Sequence, residues 1–158
     1  MREQKEFAFA DAETASSETT LDLVVPVTTP DLTRAALDAA NRMGMGLNAT
    51  LRLIKIQVVP FPMDLSQSPV YLDFLKSQLQ RYESELPVAG EIRLARELEP
   101  GLLGTLSPNS IVVLATGKRL WRTRNERLAA ALRRAGHKVV LVSRDGVSRE
   151  DKAEATHA

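Results

Sequence analysis

Between Leu21 and Ser143 short apolar runs alternate with stretches whose apolar residues recur every three or four positions. Leu21-Asp22-Leu23-Val24-Val25-Pro26-Val27 is a β-branched run closed by Thr28-Thr29-Pro30, the pattern of a buried strand and a turn. Thr29 is then placed to cap a helix with Pro30 at its first position, where the missing N–H costs nothing, and Asp31 in the first turn. Leu32, Ala35, Ala36, Ala39, Ala40 and Met43 mark its inner face, and Gly44 with Gly46 its stop.

A second strand is expected from Thr50 to Val59, partly exposed through Arg52, Lys55 and Gln57, and ended by Pro60-Phe61-Pro62. Pro69 opens a second helix over Val70 to Leu86, with Val70, Phe74, Leu75, Leu79, Tyr82 and Leu86 on one face and Pro87 closing it. Glu91 to Glu97 alternates charged with apolar residues, as an edge strand guarded by charge does. Leu98 to Asn109 leaves room for a short helix around Leu102 to Leu106 and is long enough for a crossover.

Ser110 to Thr116 (SIVVLAT) is the least interrupted apolar run and reads as a central strand, buried on both faces and ended by Gly117. A basic loop follows. Arg124 to Ala135 makes a helix with Leu128, Ala131, Leu132 and Ala135 inward and Gly136 as its end signal, and Lys138 to Ser143 makes the fifth strand. This alternation predicts right-handed βαβ units and one open α/β sheet covered on both faces, over residues 21–144. Residues 1–20 are polar and acidic and read as a disordered tail, with Phe7 and Phe9 as its two candidates for docking on a partner; residues 145–158 read as a second flexible tail.

Composition narrows the function. A chain of 158 residues with 44% apolar and 26% charged side chains suits one globular domain. The formal net charge of +1 gives no long-range field to steer the whole molecule to nucleic acid or anionic lipid. Cysteine is absent, which removes disulfides and thiol chemistry and suits the cytoplasm. No apolar stretch approaches the ~20 residues of a membrane helix, and the acidic N-terminus does not read as a signal peptide.

Three segments, Leu23-Val24-Val25-Pro26-Val27, Ile111-Val112-Val113-Leu114-Ala115-Thr116-Gly117, and Leu132-Arg133-Arg134-Ala135-Gly136 leading into Val139-Val140-Leu141-Val142, resemble the universal stress protein family. There a first strand of the type I-L-V-P-V-D precedes a helix, a fourth strand runs into a glycine-rich phosphate loop, and a helix ending in R-R-A leads to the last strand. The likeness spans Leu21 to Ser143. It implies an open five-stranded parallel sheet of Rossmann-like, adenine nucleotide alpha hydrolase-like type, in the order 3-2-1-4-5. It also implies, as in many relatives, a site for ATP or AMP at the carboxyl ends of strands one and four, where open sheets bind ligands. The residues falling there are Pro26, Val27, Thr28, Val58, Thr116, Gly117, Lys118, Arg119, Arg122 and Arg124.

The chain departs from the family's phosphate motif. Thr28 stands where nucleotide-binding relatives place an acid, and after Gly117 the loop reads Lys118-Arg119-Leu120-Trp121-Arg122-Thr123-Arg124-Asn125, without the further glycines that let bare amides approach phosphate. Two readings follow. In the first the nucleotide site is degenerate, Trp121 covers the vacated cleft, and the chain is a regulatory or interaction module with a protein partner. In the alternative it is an ATP or AMP sensor in which Lys118, Arg119, Arg122 and Arg124 grip the anion, with Thr123 or Asn125 capping the next helix. The last strand, Val139 to Val142, is an unpaired edge unless covered, and relatives dimerise there, so a homodimer through Val139, Val140, Leu141 and Val142 is expected.

No catalytic or metal constellation emerges. His137 and His157 are the only histidines, Ser107, Ser110 and Ser143 lack a G-x-S-x-G context, and no G-x-x-x-x-G-K-S/T loop exists. The expectation is a protein that is not an enzyme, short of a weak ATPase, and binds neither nucleic acid nor membrane. Phe61, Met63, Tyr71 and Phe74 gather between the second strand and second helix and read mainly as core, with a partner or lid surface as the other use.

Overall fold

The computed structural model describes residues 20–66, 71–118 and 123–144. Elements follow in the order β1 (Leu21–Pro26), α1 (Pro30–Gly44), β2 (Ala49–Val58), α2 (Leu72–Glu85), β3 (Ala89–Ala95), α3 (Leu98–Leu103), β4 (Ser110–Thr116), α4 (Arg124–Arg134) and β5 (Lys138–Ser143). The strands form one parallel sheet in the order β3-β2-β1-β4-β5. The expected α/β sheet and its strand order are both present. Residues 1–19 and 145–158 of the expected tails, and Pro69 and Val70 at the expected start of the second helix, lie outside the described residues.

Strand alternation divides the core in two. Val25, Leu53, Val113 and Ala115 meet Ala36, Leu37, Ala39 and Ala40 of α1 and Leu79 of α2 on one face. Val24, Ile54, Ile56, Val112 and Leu114 meet Leu102 of α3 and Leu128, Ala129 and Leu132 of α4 on the other. Neighbouring residues of β1 and β4 therefore serve opposite layers, which is why these strands read as continuous apolar runs. Each buried Val, Leu or Ile among them contributes about 1.5–3 kcal/mol, and each alanine methyl less.

Helix ends follow their local chemistry. Gly46 (φ 76°) turns the chain after α1. Gly136 (φ 93°) closes α4 in a Schellman arrangement, with His137 N donating to Leu132 O at 3.1 Å and Gly136 N to Arg133 O at 3.0 Å. Ala135, expected inward, is exposed beyond this end.

Two expectations need correction. The short helix α3 begins at Leu98 rather than near Leu102, with Pro100 in its first turn, where no N–H is required. Gly101 makes that placement workable, since a Cβ there would lie 2.5 Å from Ala95 Cβ and 3.0 Å from Ile56 Cγ2. The second correction concerns the aromatic residues read as core: Phe61 is 81% and Phe74 62% exposed. Helix α2 packs against the margin of the sheet, so its buried stripe narrows to Leu75 and Leu79, and Phe74, one position before Leu75, turns outward.

Candidate functional site

Strand β1 leads to α1 on one face of the sheet and β4 leads to α4 on the other, so the two connections part and leave a crevice at their carboxyl ends. A cleft of about 870 Å³ opens there. Val27, Leu32, Ile56, Val58, Leu98 and Leu128 give it apolar walls. Among the described residues, Lys55, Arg124, Arg127 and Arg144 bring four cations to its lining against one carboxylate, Asp31.

Hydrogen bonds fix both strand ends. Val27 N donates to Ile54 O at 2.8 Å, and Thr28 N donates to the Thr33 hydroxyl at 2.9 Å. Thr33 is fully buried, and its own N–H donates to Thr29 O at 2.9 Å. Thr29 holds the N-cap position of α1, as expected, yet its side chain makes no capping bond. On the other side, Asn125 is buried and its Nδ2 donates to Ala115 O at 2.7 Å, pinning the first turn of α4 to β4. Arg144 N donates to Thr116 O at 2.9 Å.

The amino end of α4 is closed by its own side chains. Glu126 N donates to Thr123 Oγ1 at 3.3 Å, and Thr123 N donates to Glu126 Oε2 at 2.7 Å, a reciprocal capping box. Two amides that a bound phosphate would find at a bare helix end are thus already engaged. Thr123, not Asn125, is the cap; Asn125 holds the strand. Around Gly117 no atom of the described residues lies within 4 Å of where a Cβ would stand.

Of the residues expected at a nucleotide site, Val27, Thr28, Val58, Gly117 and Arg124 line the cleft. Pro26 and Thr116 are buried beneath it, and Lys118 is exposed and does not line it. Arg119, Trp121 and Arg122 lie outside the described residues. Lys55, Arg127 and Arg144 line the cleft without having been singled out for it. For Lys55 the signal was present, since β2 alternates and a cation there pointed to an exposed end; Arg127 and Arg144 come from separate elements and carry no local motif. At the other margin β5 is an edge strand, with Val139 and Val142 buried and Val140 and Leu141 half-buried.

Among the described residues no group of three or more His, Cys, Asp or Glu is arranged to hold a metal ion. No described helix is long and apolar enough to cross a membrane.

Fold and cleft together define an open, doubly wound α/β protein with its crevice at the topological switch point. Within that class the fold is that of the universal stress proteins. The chain is similar to a universal stress protein crystallised in complex with cAMP, at 19% identity and a TM-score of 0.51, over 78% of this chain and 97% of that one. It is also similar to a protein from the universal stress protein family from Burkholderia pseudomallei, at 17% identity and a TM-score of 0.48, over 77% of this chain and 95% of that one. No family model and no curated protein sequence matches the chain.

Proposed function

We propose that this chain is a regulatory binding module of universal stress protein type, not an enzyme, whose cleft takes an adenine nucleotide. The observation that carries this reading is the cleft itself, about 870 Å³ with apolar walls, lined among the described residues by the cations Lys55, Arg124, Arg127 and Arg144 and the carboxylate Asp31. Guanidinium groups bind phosphate oxygens through paired, charge-assisted bonds, so a cationic rim can stand in for a glycine cradle. The cAMP complex of a protein with the same fold places a nucleotide within this fold's repertoire. A thermal-shift series with AMP, cAMP and ATP tests it, because ligand at a hundredfold its Kd adds about 2.7 kcal/mol of stability. Absence of any shift at millimolar nucleotide contradicts it.

A second reading is favoured by a specific observation. The capping box at Thr123 and Glu126, with Thr28 N held by Thr33, engages three amides among the described residues at the strand and helix ends that a phosphate would otherwise meet. On this reading the site is degenerate and the module acts through protein contacts. In either case we propose that two copies associate along β5, and sedimentation of the native chain at twice its monomer mass is the expected result.

A further inference from the structure

Charge is unevenly spread along the cleft. Of the four cations among its described lining residues, Arg124 and Arg127 belong to α4 and Arg144 follows β5, on the β4 and β5 side of β1. The strand order puts β2 on the other side of β1. A phosphate paired with these guanidinium groups leaves the uncharged part of a nucleotide to extend past β1 toward β2. Leu32 of α1 and Gln57 and Val58 of β2 line the cleft there. Lys55, the fourth cation, lies two residues, about 7 Å, back along β2 from Gln57.

Gln57 is half-buried, and its amide is already committed on one side. Nε2 donates to Val58 O at 3.1 Å and to Tyr71 Oη at 3.2 Å. A backbone carbonyl only accepts, so the nitrogen of the amide, not its oxygen, faces Val58 O. Tyr71 is itself seated at the N-cap of α2, where Leu75 N donates to its carbonyl at 3.1 Å. Both amide hydrogens of Gln57 are thus taken. What remains for a ligand is Oε1, an acceptor with no hydrogen bond among the described residues. An ionised phosphate offers only acceptors, so it has nothing to give this atom. The donors of an adenine nucleotide are its ribose hydroxyls and the 6-amino group of the base, and the base lies farther from the phosphate.

We propose that Gln57 selects the base, its Oε1 accepting from the 6-amino group of a purine, and that Tyr71 is the positioning residue that keeps the amide nitrogen turned away. This rests on the reading of the cleft as a nucleotide site. A 6-oxo purine in the same pose sets a carbonyl against Oε1, acceptor against acceptor, so the site discriminates against hypoxanthine and guanine.

Calorimetric titration of the full chain with AMP, purine riboside 5′-monophosphate, which lacks the 6-amino group, and 2′-deoxy-AMP tests this. AMP should bind about tenfold more tightly than the amine-free analogue. Gln57→Leu should abolish that ratio and Tyr71→Phe should reduce it. The ratio is read within each protein, so a general loss of affinity or stability does not imitate the effect. Equal binding of AMP and the amine-free analogue by the native chain overturns the inference and leaves the nucleotide reading standing, whereas binding of none of the three overturns both. A ratio that survives Gln57→Leu overturns it as well. So does a Gln57→Leu protein that loses discrimination against 2′-deoxy-AMP instead, since that assigns Gln57 to the sugar. A ratio unchanged in Tyr71→Phe overturns the role of Tyr71.

Discussion

Asp22 of β1 and Arg52 of β2 meet across the sheet through two bonds, Nε to Oδ1 at 2.9 Å and Nη2 to Oδ2 at 2.7 Å. Ser110 of β4 donates to the same carboxylate at 2.6 Å, while Arg52 lies 3.6 Å from Glu91 of β3 and donates to Thr105 O at 3.3 Å. One polar network thus joins four strands at their amino ends, opposite the cleft, and holds the crossover between α3 and β4. The Asp22 and Arg52 side chains are only 16% and 27% exposed, so solvent replaces these bonds poorly.

Replacing Asp22 by Asn at neutral pH is therefore expected to lower stability by about 2 kcal/mol, read as a lower urea midpoint with unchanged slope. The bonds from Arg52, with help from Ser110, hold the Asp22 carboxyl below its ordinary pKa despite partial burial. A depressed carboxyl contributes stability that is complete above its unfolded value of about 3.9 and is lost as pH falls through the folded value. The gap between native and Asp22→Asn proteins should accordingly shrink below about pH 4. A gap independent of pH would remove the charge from this account.

Gly101→Val should cost about 1–3 kcal/mol through overpacking, because Ala95 and Ile56 occupy the space the new side chain needs. Ile56 and Leu98 also line the cleft. Ligand binding should weaken with stability in this variant, whereas Gly117→Ala, which meets no atom of the described residues within 4 Å, should leave stability within about 0.5 kcal/mol.

Asn125→Leu removes the donor to the Ala115 carbonyl inside the protein, and an unmatched buried carbonyl costs about 1–3 kcal/mol. Thr123→Ala should cost about 1 kcal/mol by opening the capping box. Thermal unfolding of the two variants should rank them in that order.

The sheet was legible because its strands advertise themselves. Ser110 to Thr116 and Leu23 to Val25 are apolar on both faces, Pro30 suits the first position of α1, and Gly46 and Gly136 mark the positive-φ turns that glycine favours. Glu91 to Ala95 disclosed its marginal place through alternating charge. The cleft was legible only in part. Val27, Thr28 and Gly117 follow from strand ends, but Lys55 comes from β2, Arg127 from α4 and Arg144 from the residue after β5, a convergence that no local pattern encodes. Thr33 carried no warning either, since a polar residue in a first helical turn reads as solvated until tertiary structure buries it, and Asn125 read as a candidate cap, not as a buried tie to β4. Phe74 misled because periodicity shows which side of a helix is apolar, not how much sheet lies beneath it.

Calorimetric titration of AMP, cAMP and ATP into the native chain and into Arg124→Ala/Arg127→Ala tests the central claim most directly. Both arginines are exposed at the cleft and absent from the core, so the double variant should keep its unfolding midpoint while losing at least about tenfold in affinity for whichever nucleotide binds. Equal affinity in the two proteins, or no heat from any nucleotide with the native chain, would contradict the account.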